Sequence, residues 1–181
     1  MYNNTRGTSP HDDYPRVDGD FIGTTDEIIQ WAACKHGVDE DMVRAQMALE
    51  SWWYQETGGD LTSNQSECHP DLRGGSEQCP ESIGLGQVRF LYQGGAFEDS
   101  NATRSTAYNV DYTYDVWRYD GRLIWLNGVE RGRQYAAGDA LGCMGLWFAG
   151  RWYTSGATGY MDRFQGYIDV RIWESPGFLA G

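Results

Sequence analysis

The chain has 181 residues, 40 % of them apolar and spread along its length, which fits one packed domain and excludes wholesale disorder. Its formal net charge of −12 leaves no basic stripe for nucleic acid and disfavours charge-driven adhesion to anionic membranes. No apolar run approaches the roughly 20 residues that a membrane-spanning helix needs, so neither nucleic acid nor membrane is an expected partner.

Residues 1–20 are polar, carry Pro10 and Pro15, and read as a flexible lead-in to a single domain over 21–181. Thr24-Thr25-Asp26-Glu27 is a capping box, after which Ile28, Ile29, Ala32 and Ala33 recur at helical spacing until Gly37 stops the helix. Asp39 caps a second helix through Met42, Val43, Gln46, Met47 and Glu50, ending near Tyr54. Residues 58–80 are rich in Gly, Ser, Asn and acid and read as a long surface loop. Residues 82–90 contain two glycines and a short β-like run. Further helices are expected over 105–119, 138–149 and 160–173. The pattern predicts a mostly α, α+β domain with a small irregular or β-containing lobe in its middle.

Four cysteines suit two disulfides, and four allow three pairings. Cys68 and Cys79 flank the polar loop, and closing it would stabilise by roughly 3 kcal/mol through chain entropy. Pairing Cys34 with Cys143 would clip the start of the domain to its end. Two disulfides imply an oxidising compartment, hence a secreted or wall-exposed protein. Zinc is disfavoured, since neither a C-x-x-C pair nor H-E-x-x-H occurs; no metal or other cofactor is expected. A monomer is expected.

Glu50 is the residue that asks for a chemical explanation. It follows Leu49 on the apolar side of its helix and precedes Ser51, Trp52 and Trp53. Burial against rings and the negative end of the helix dipole both favour the protonated acid. A carboxyl that keeps its proton near neutrality is what glycoside cleavage needs, because the leaving oxygen must be protonated as its bond breaks.

The segments Ala48-Leu49-Glu50-Ser51, Gly84-Leu85-Gly86-Gln87-Val88, Asn109-Val110, Trp147-Phe148-Ala149-Gly150 and then Tyr160 occur in this order. Together they resemble the lytic transglycosylase and goose-type lysozyme family, glycoside hydrolase family 23, over about residues 24–172. The resemblance implies a lysozyme-like fold that cleaves the β-1,4 glycan of bacterial cell wall. Glu50 would be the catalytic acid and base, with the Tyr160 hydroxyl near its carboxyl. Ser51, Gly84, Leu85, Gln87, Asn109, Trp147 and Phe148 would contact substrate. Three positions depart from the family's pattern. Gly86 stands where the family has Met, Phe148 where it has Asn in an aromatic-Asn-Ala-Gly turn, and Thr113 where a small residue is usual.

Two chemistries share such a scaffold. In a lytic transglycosylase one Glu suffices, because the substrate's 6-hydroxyl closes an anhydro ring. An inverting hydrolase needs a second carboxylate about 6.5–9.5 Å away to activate water. Asp60 and Glu56 are the foremost candidates for it, with Asp71 and Glu81 behind them. The lytic route is favoured because it asks least of the sequence. A hydrolytic muramidase, a chitinase on the same fold and a non-catalytic glycan-binding domain are the alternatives. The expected partners are therefore peptidoglycan glycan strands or chitin oligosaccharides.

Overall fold

The computed structural model describes residues 16–119, 140–151 and 154–179. Its helices are α1 (Thr25–His36), α2 (Glu40–Ser51), α3 (Asn101–Arg104), α4 (Thr106–Tyr119), α5 (Ala140–Ala149), α6 (Ser155–Asp169) and α7 (Pro176–Leu179). A small antiparallel sheet of β1 (Gly58–Thr62), β2 (Cys79–Ile83) and β3 (Val88–Arg89) is inserted between α2 and α3. The domain is thus mostly α, with a small β lobe in mid-chain, as the sequence pattern implies.

Local chemistry sets the first two helices. Thr24 and Glu27 form the reciprocal capping box, with the Thr24 amide donating to Glu27 Oε2 at 2.7 Å. Asp39 accepts from the Asp41 and Met42 amides at the start of α2. That helix ends at Ser51, three residues earlier than its sequence suggests. Trp52 and Trp53 adopt left-handed backbone conformations, φ 56° and 65°. Their rings pack on Phe178 with centroids 4.6 and 4.9 Å away, and Trp53 Nε1 donates to the Arg44 carbonyl. Burial of two indoles outweighs the roughly 1–2 kcal/mol that a left-handed conformation costs each residue.

The stretch 58–80 is not all loop. Gly58 and Thr62 of β1 pair with Ile83 and Cys79 of β2, and Ser82 and Ile83 pair with Arg89 and Val88 of β3. Residues 63–78 between the paired strands hold two single-turn 3-10 helices, at Gln65–Glu67 and Pro70–Leu72. The Cys68–Cys79 disulfide closes them onto the sheet. The second expected disulfide does not form. Cys34 lies on the exposed side of α1, whereas Cys143 is buried in α5, so the two helices present their cysteines to different surroundings.

α4 joins two apolar cores. Ala107, Val110 and Tyr114 face the larger one, with Ile28, Val43, Met47, Met144 and Phe164. Tyr108 and Tyr112 face the smaller one beneath the β lobe, with Val17, Ile83, Val88 and Phe97. Val17 is fully buried, and the Asp18 and Gly19 amides donate to Asp111 Oδ2 at 3.0 Å. The packed domain therefore already includes the described residues just before 21, because Asp111 supplies an anchor that no local pattern announces. The rest of the expected lead-in, 1–15, lies outside the described residues. The last long helix begins at Ser155 rather than 160, capped by the Thr154 side chain on the Ala157 amide, and ends at Asp169. No helix among the described residues is long and apolar enough to cross a membrane.

Candidate active site

A groove of about 650 Å³ runs between the β lobe and the helices. Glu50 lines it together with Gly59 and Asp60 of β1, Ser82, Gln87 and Arg89 around β2 and β3, Tyr92 and Gln93 beyond them, and the segment 147–151. Four residues held in left-handed backbone conformations lie at or close to the groove: Asp60 and Gln87 in its wall, and Trp52 and Trp53 just past the end of α2, beyond Ser51. Such conformations persist where surrounding packing over-determines them.

Glu50 sits in the last turn of α2, where no basic side chain offsets the helix dipole. The Tyr160 hydroxyl, buried in α6, donates to Glu50 Oε1 at 2.6 Å. Burial pushes the Glu50 pKa up to about 7. The hydrogen bond from Tyr160 opposes that rise, the charge of Asp60 adds to it, and Arg163 again opposes it. At neutral pH a large share of Glu50 is thus protonated, yet its deprotonated form retains a donor. One carboxyl can then give up a proton and take one back.

The wall beside Glu50 is aromatic. Phe148 is 51 % exposed and stacks on Tyr160 with centroids 4.8 Å apart and planes 16° from parallel. The Arg163 guanidinium lies 5.7 Å from the Phe148 ring centroid. Trp147 is oriented by its Nε1, which donates to the Gly86 carbonyl at 3.0 Å. On the β-lobe side Tyr92 is 74 % exposed, and the Arg89 guanidinium lies 5.5 Å from its ring centroid.

Only some of the residues expected to touch substrate reach the groove. Gln87, Trp147 and Phe148 line it. Ser51 turns inward and donates to the Met47 carbonyl, the local bond that a helix-end hydroxyl makes when no other acceptor is near. Leu85 is fully buried in the main core. Asn109 is fully buried beneath the groove floor, which it staples together. Its Oδ1 accepts from the Gly86 amide at 2.8 Å, and its Nδ2 donates to the Ile83 and Ala102 carbonyls. Gly84 faces Asn109 rather than the groove; with φ 83°, a Cβ there would meet Asn109 Nδ2 at 2.3 Å. Even Gln87 is largely committed to the fold. Its Nε2 donates to the Thr57 and Gly84 carbonyls and its Oε1 accepts from Ser82. These residues shape the floor and leave the rim to others.

Gly86 and Thr113, two departures from the family pattern, turn out to be neighbours. A Cβ on Gly86 would come within 2.0 Å of Thr113 Oγ1, whose hydroxyl donates to the Asn109 carbonyl one turn back. The larger residue on α4 therefore requires the smaller one on the floor. Gly86→Ala alone is expected to cost about 1–3 kcal/mol, as overpacking does. Adding Thr113→Gly should recover part of that loss, read as a coupling energy in a double-mutant cycle of urea melts. Strict additivity would mean the two sites are independent.

Among the candidate second carboxylates, Asp60 lines the groove and pairs with Arg89 at 3.3 Å. Glu81 is buried behind it and receives a hydrogen bond from Arg89 Nε at 2.8 Å. Glu56 is exposed and does not line the groove. Asp71 pairs with Arg104 at 3.4 Å, also outside the groove lining. Arg89, Tyr92, Gln93 and Arg151 were not singled out in the sequence. An exposed aromatic after a short β run was the one available signal, and it is a weak one. No group of three or more His, Cys, Asp or Glu among the described residues is placed to hold a metal ion. No protein-family model matches the sequence, and neither a curated protein nor a solved structure matches it.

Proposed function

We propose that this protein is a single-acid glycosidase that cleaves the β-1,4 bond between N-acetylmuramic acid and N-acetylglucosamine in peptidoglycan, by the lytic, anhydro-forming route. The observation that carries the proposal is Glu50, a carboxyl with its pKa raised to about 7, hydrogen-bonded to Tyr160 and opening on a groove of sugar-binding size. The ordered motifs that resemble glycoside hydrolase family 23 support the same assignment. Glu50 gives its proton to the leaving oxygen as the glycosidic bond breaks. The substrate's own N-acetyl oxygen stabilises the developing positive centre. The Glu50 carboxylate then takes the proton from the 6-hydroxyl as that oxygen closes the anhydro ring, which restores the acid. No second carboxylate and no cofactor enters this sequence. A secreted or wall-exposed setting fits the Cys68–Cys79 disulfide.

One observation favours a second route. Asp60 shares the groove with Glu50, and its charge acts on the Glu50 carboxyl. As a base for water, Asp60 would make the protein a hydrolytic muramidase.

Digestion of purified peptidoglycan, with the soluble products weighed by mass spectrometry, separates these readings. Products lighter by one water are expected. Ordinary reducing ends would replace the lytic route with hydrolysis through Asp60. Cleavage of chitin oligosaccharides without release of wall fragments would move the substrate to chitin. Glycan binding without turnover, unaffected by Glu50→Gln, would leave a binding domain.

Phe148 offers the exposed ring on which a sugar face can stack. Phe148→Ala is expected to raise KM three- to tenfold, corresponding to about 0.5–1.5 kcal/mol of ring contact, with kcat reduced less. An unchanged KM would remove Phe148 from the sugar-binding wall.

A further inference from the structure

The groove wall beside Glu50 carries two arginines that the proposed reaction leaves without a task. Gly150 ends α5 in a left-handed conformation, φ 63°, with its amide donating to the Leu146 carbonyl at 2.8 Å. The next residue, Arg151, lines the groove three positions after Phe148. Arg163 comes from α6, three residues after Tyr160 and so on the same side of that helix. Its guanidinium lies 5.7 Å from the Phe148 ring centroid and 5.9 Å from that of Tyr160. Both arginines are exposed.

Arginines elsewhere in the fold are taken up by partners. Arg44, Arg89, Arg104 and Arg171 each hold at least one carboxylate, and Arg73 donates twice to the Cys68 carbonyl. Arg151 and Arg163 have no carboxylate within ion-pair distance among the described residues. The chain has 26 acidic against 14 basic side chains, so partners for a cation are abundant. Two arginines left without one at a single groove wall call for a ligand of their own.

A cation after the last turn of α5 also suits that helix's dipole. That accounts for Arg151 alone, and it does not explain a second guanidinium held on the Phe148 ring. Contact with a ring holds a guanidinium in place without using its N–H donors. Carboxylate is the group those donors fit, two parallel N–H···O bonds at a time.

We infer that Arg151 and Arg163 bind a carboxylate of the substrate's muramic acid unit, and that this contact selects peptidoglycan over chitin. Chitin shares the linkage and the N-acetyl groups but has no acid. Muramic acid carries a lactyl branch, whose carboxyl is free in a glycan stripped of its peptides. In a glycan that keeps them, that carboxyl is an amide and the acids belong to the peptide stem. A chain of this net charge repels an anionic wall as a whole, so recognition of an acid falls to cations at the groove itself. The inference rests on the proposed reading of the groove as a glycan site and deepens it by naming the group that sets substrate choice.

The test is calorimetric binding to the Glu50→Gln protein, which holds ligand without turning it over. Ligands of equal sugar number are compared: a chitin oligosaccharide, a peptidoglycan oligosaccharide stripped of its stems, and one that keeps them. An acidic ligand is expected to bind roughly tenfold tighter than the chitin oligosaccharide. Preference for the stripped ligand identifies the lactyl acid as the bound group, and preference for the stem-bearing one identifies the peptide's acids. Arg151→Gln together with Arg163→Gln should remove the preference. Lys at both positions should keep part of it, since a point charge retains the attraction but not the paired fit. The preference should also shrink as salt is raised. An absent preference, one that survives both Gln substitutions, or an equal loss of affinity for the chitin oligosaccharide overturns the inference. An arginine-dependent preference in a protein whose wild type cleaves neither glycan would remove the proposed cleavage and leave the carboxylate site standing. Cleavage of peptidoglycan without that preference would do the reverse.

Discussion

Glu50→Gln is expected to abolish glycan cleavage, by at least about a thousandfold, while making the folded protein more stable above pH 7. The loss follows from chemistry. Gln keeps the shape and the acceptor oxygen that Tyr160 binds, but it has no proton to give. The gain follows from linkage. Burial raises the Glu50 pKa from its ordinary 4.5 to about 7. A raised acid contributes stability that is complete below the unfolded pKa and lost as pH rises through the folded one. Wild-type stability should thus fall between about pH 4.5 and 7, by an order of 3 kcal/mol for a shift of this size. The Gln variant has no such slope, so its melting temperature should exceed the wild type's at pH 8 and not at pH 4. Full activity in this variant would sink the assignment of Glu50. Equal pH dependence of melting would show that the carboxyl is not desolvated. Such a trade of stability for function is common where a site needs a group in an unfavourable setting.

The largest stability loss is expected at Asp111, far from the proposed chemistry. Its carboxylate is fully buried in α4 and collects His36 Nε2 at 2.6 Å, Lys35 Nζ at 2.7 Å, and the Asp18 and Gly19 amides at 3.0 Å. Burial pushes its pKa up, but the hydrogen bonds from His36, Lys35 and Gly19 outweigh that and hold it below the usual 3.8. Asp111→Asn leaves Lys35 and His36 facing a neutral group and should cost about 3–5 kcal/mol in urea melts near pH 7. That is a large fraction of the roughly 5–15 kcal/mol a domain of this kind has. For a depressed acid the contribution is present above the unfolded pKa and is lost as pH falls through the folded one. The wild type should therefore lose this advantage over the variant only in strong acid, below about pH 4. A loss under 1 kcal/mol near neutrality would mean that the cluster is dispensable.

The helices with their own start and stop signals were legible. Thr24 and Glu27 close a box within four residues, and Asp39 caps the next helix, so no distant contact is needed to place them. The β1 strand was not legible. Its burial alternates only weakly and its sequence, Gly58-Gly59-Asp60-Leu61-Thr62, looks like loop; pairing with β2 makes it a strand. The end of α2 was misplaced for a similar reason. Trp52 and Trp53 are acceptable helix residues, and it is Phe178, more than a hundred positions away, that draws them out.

At the candidate site the sequence singled out Glu50 by its apolar company, and the resemblance suggested Tyr160. It could not sort the rest. Ser51, Leu85 and Asn109 belong to short motifs next to the groove, yet each faces inward. Asp60 and Glu56 looked alike as loop acids, and only strand pairing brings one of them to Glu50.

The amino-acid sequence by itself determined what depends on neighbours along the chain. That covers the helical character of the domain, the capped starts of α1 and α2, and an acid placed at the end of an apolar helix face. Tertiary structure alone decided what depends on partners far apart in sequence. The Glu50 carboxyl meets a hydroxyl 110 residues away, Asp111 anchors a segment more than 90 residues before it, and Gly86 yields its space to Thr113. Burial and hydrogen-bond direction fix a side chain's chemistry, and both are properties of the packed molecule rather than of the local chain.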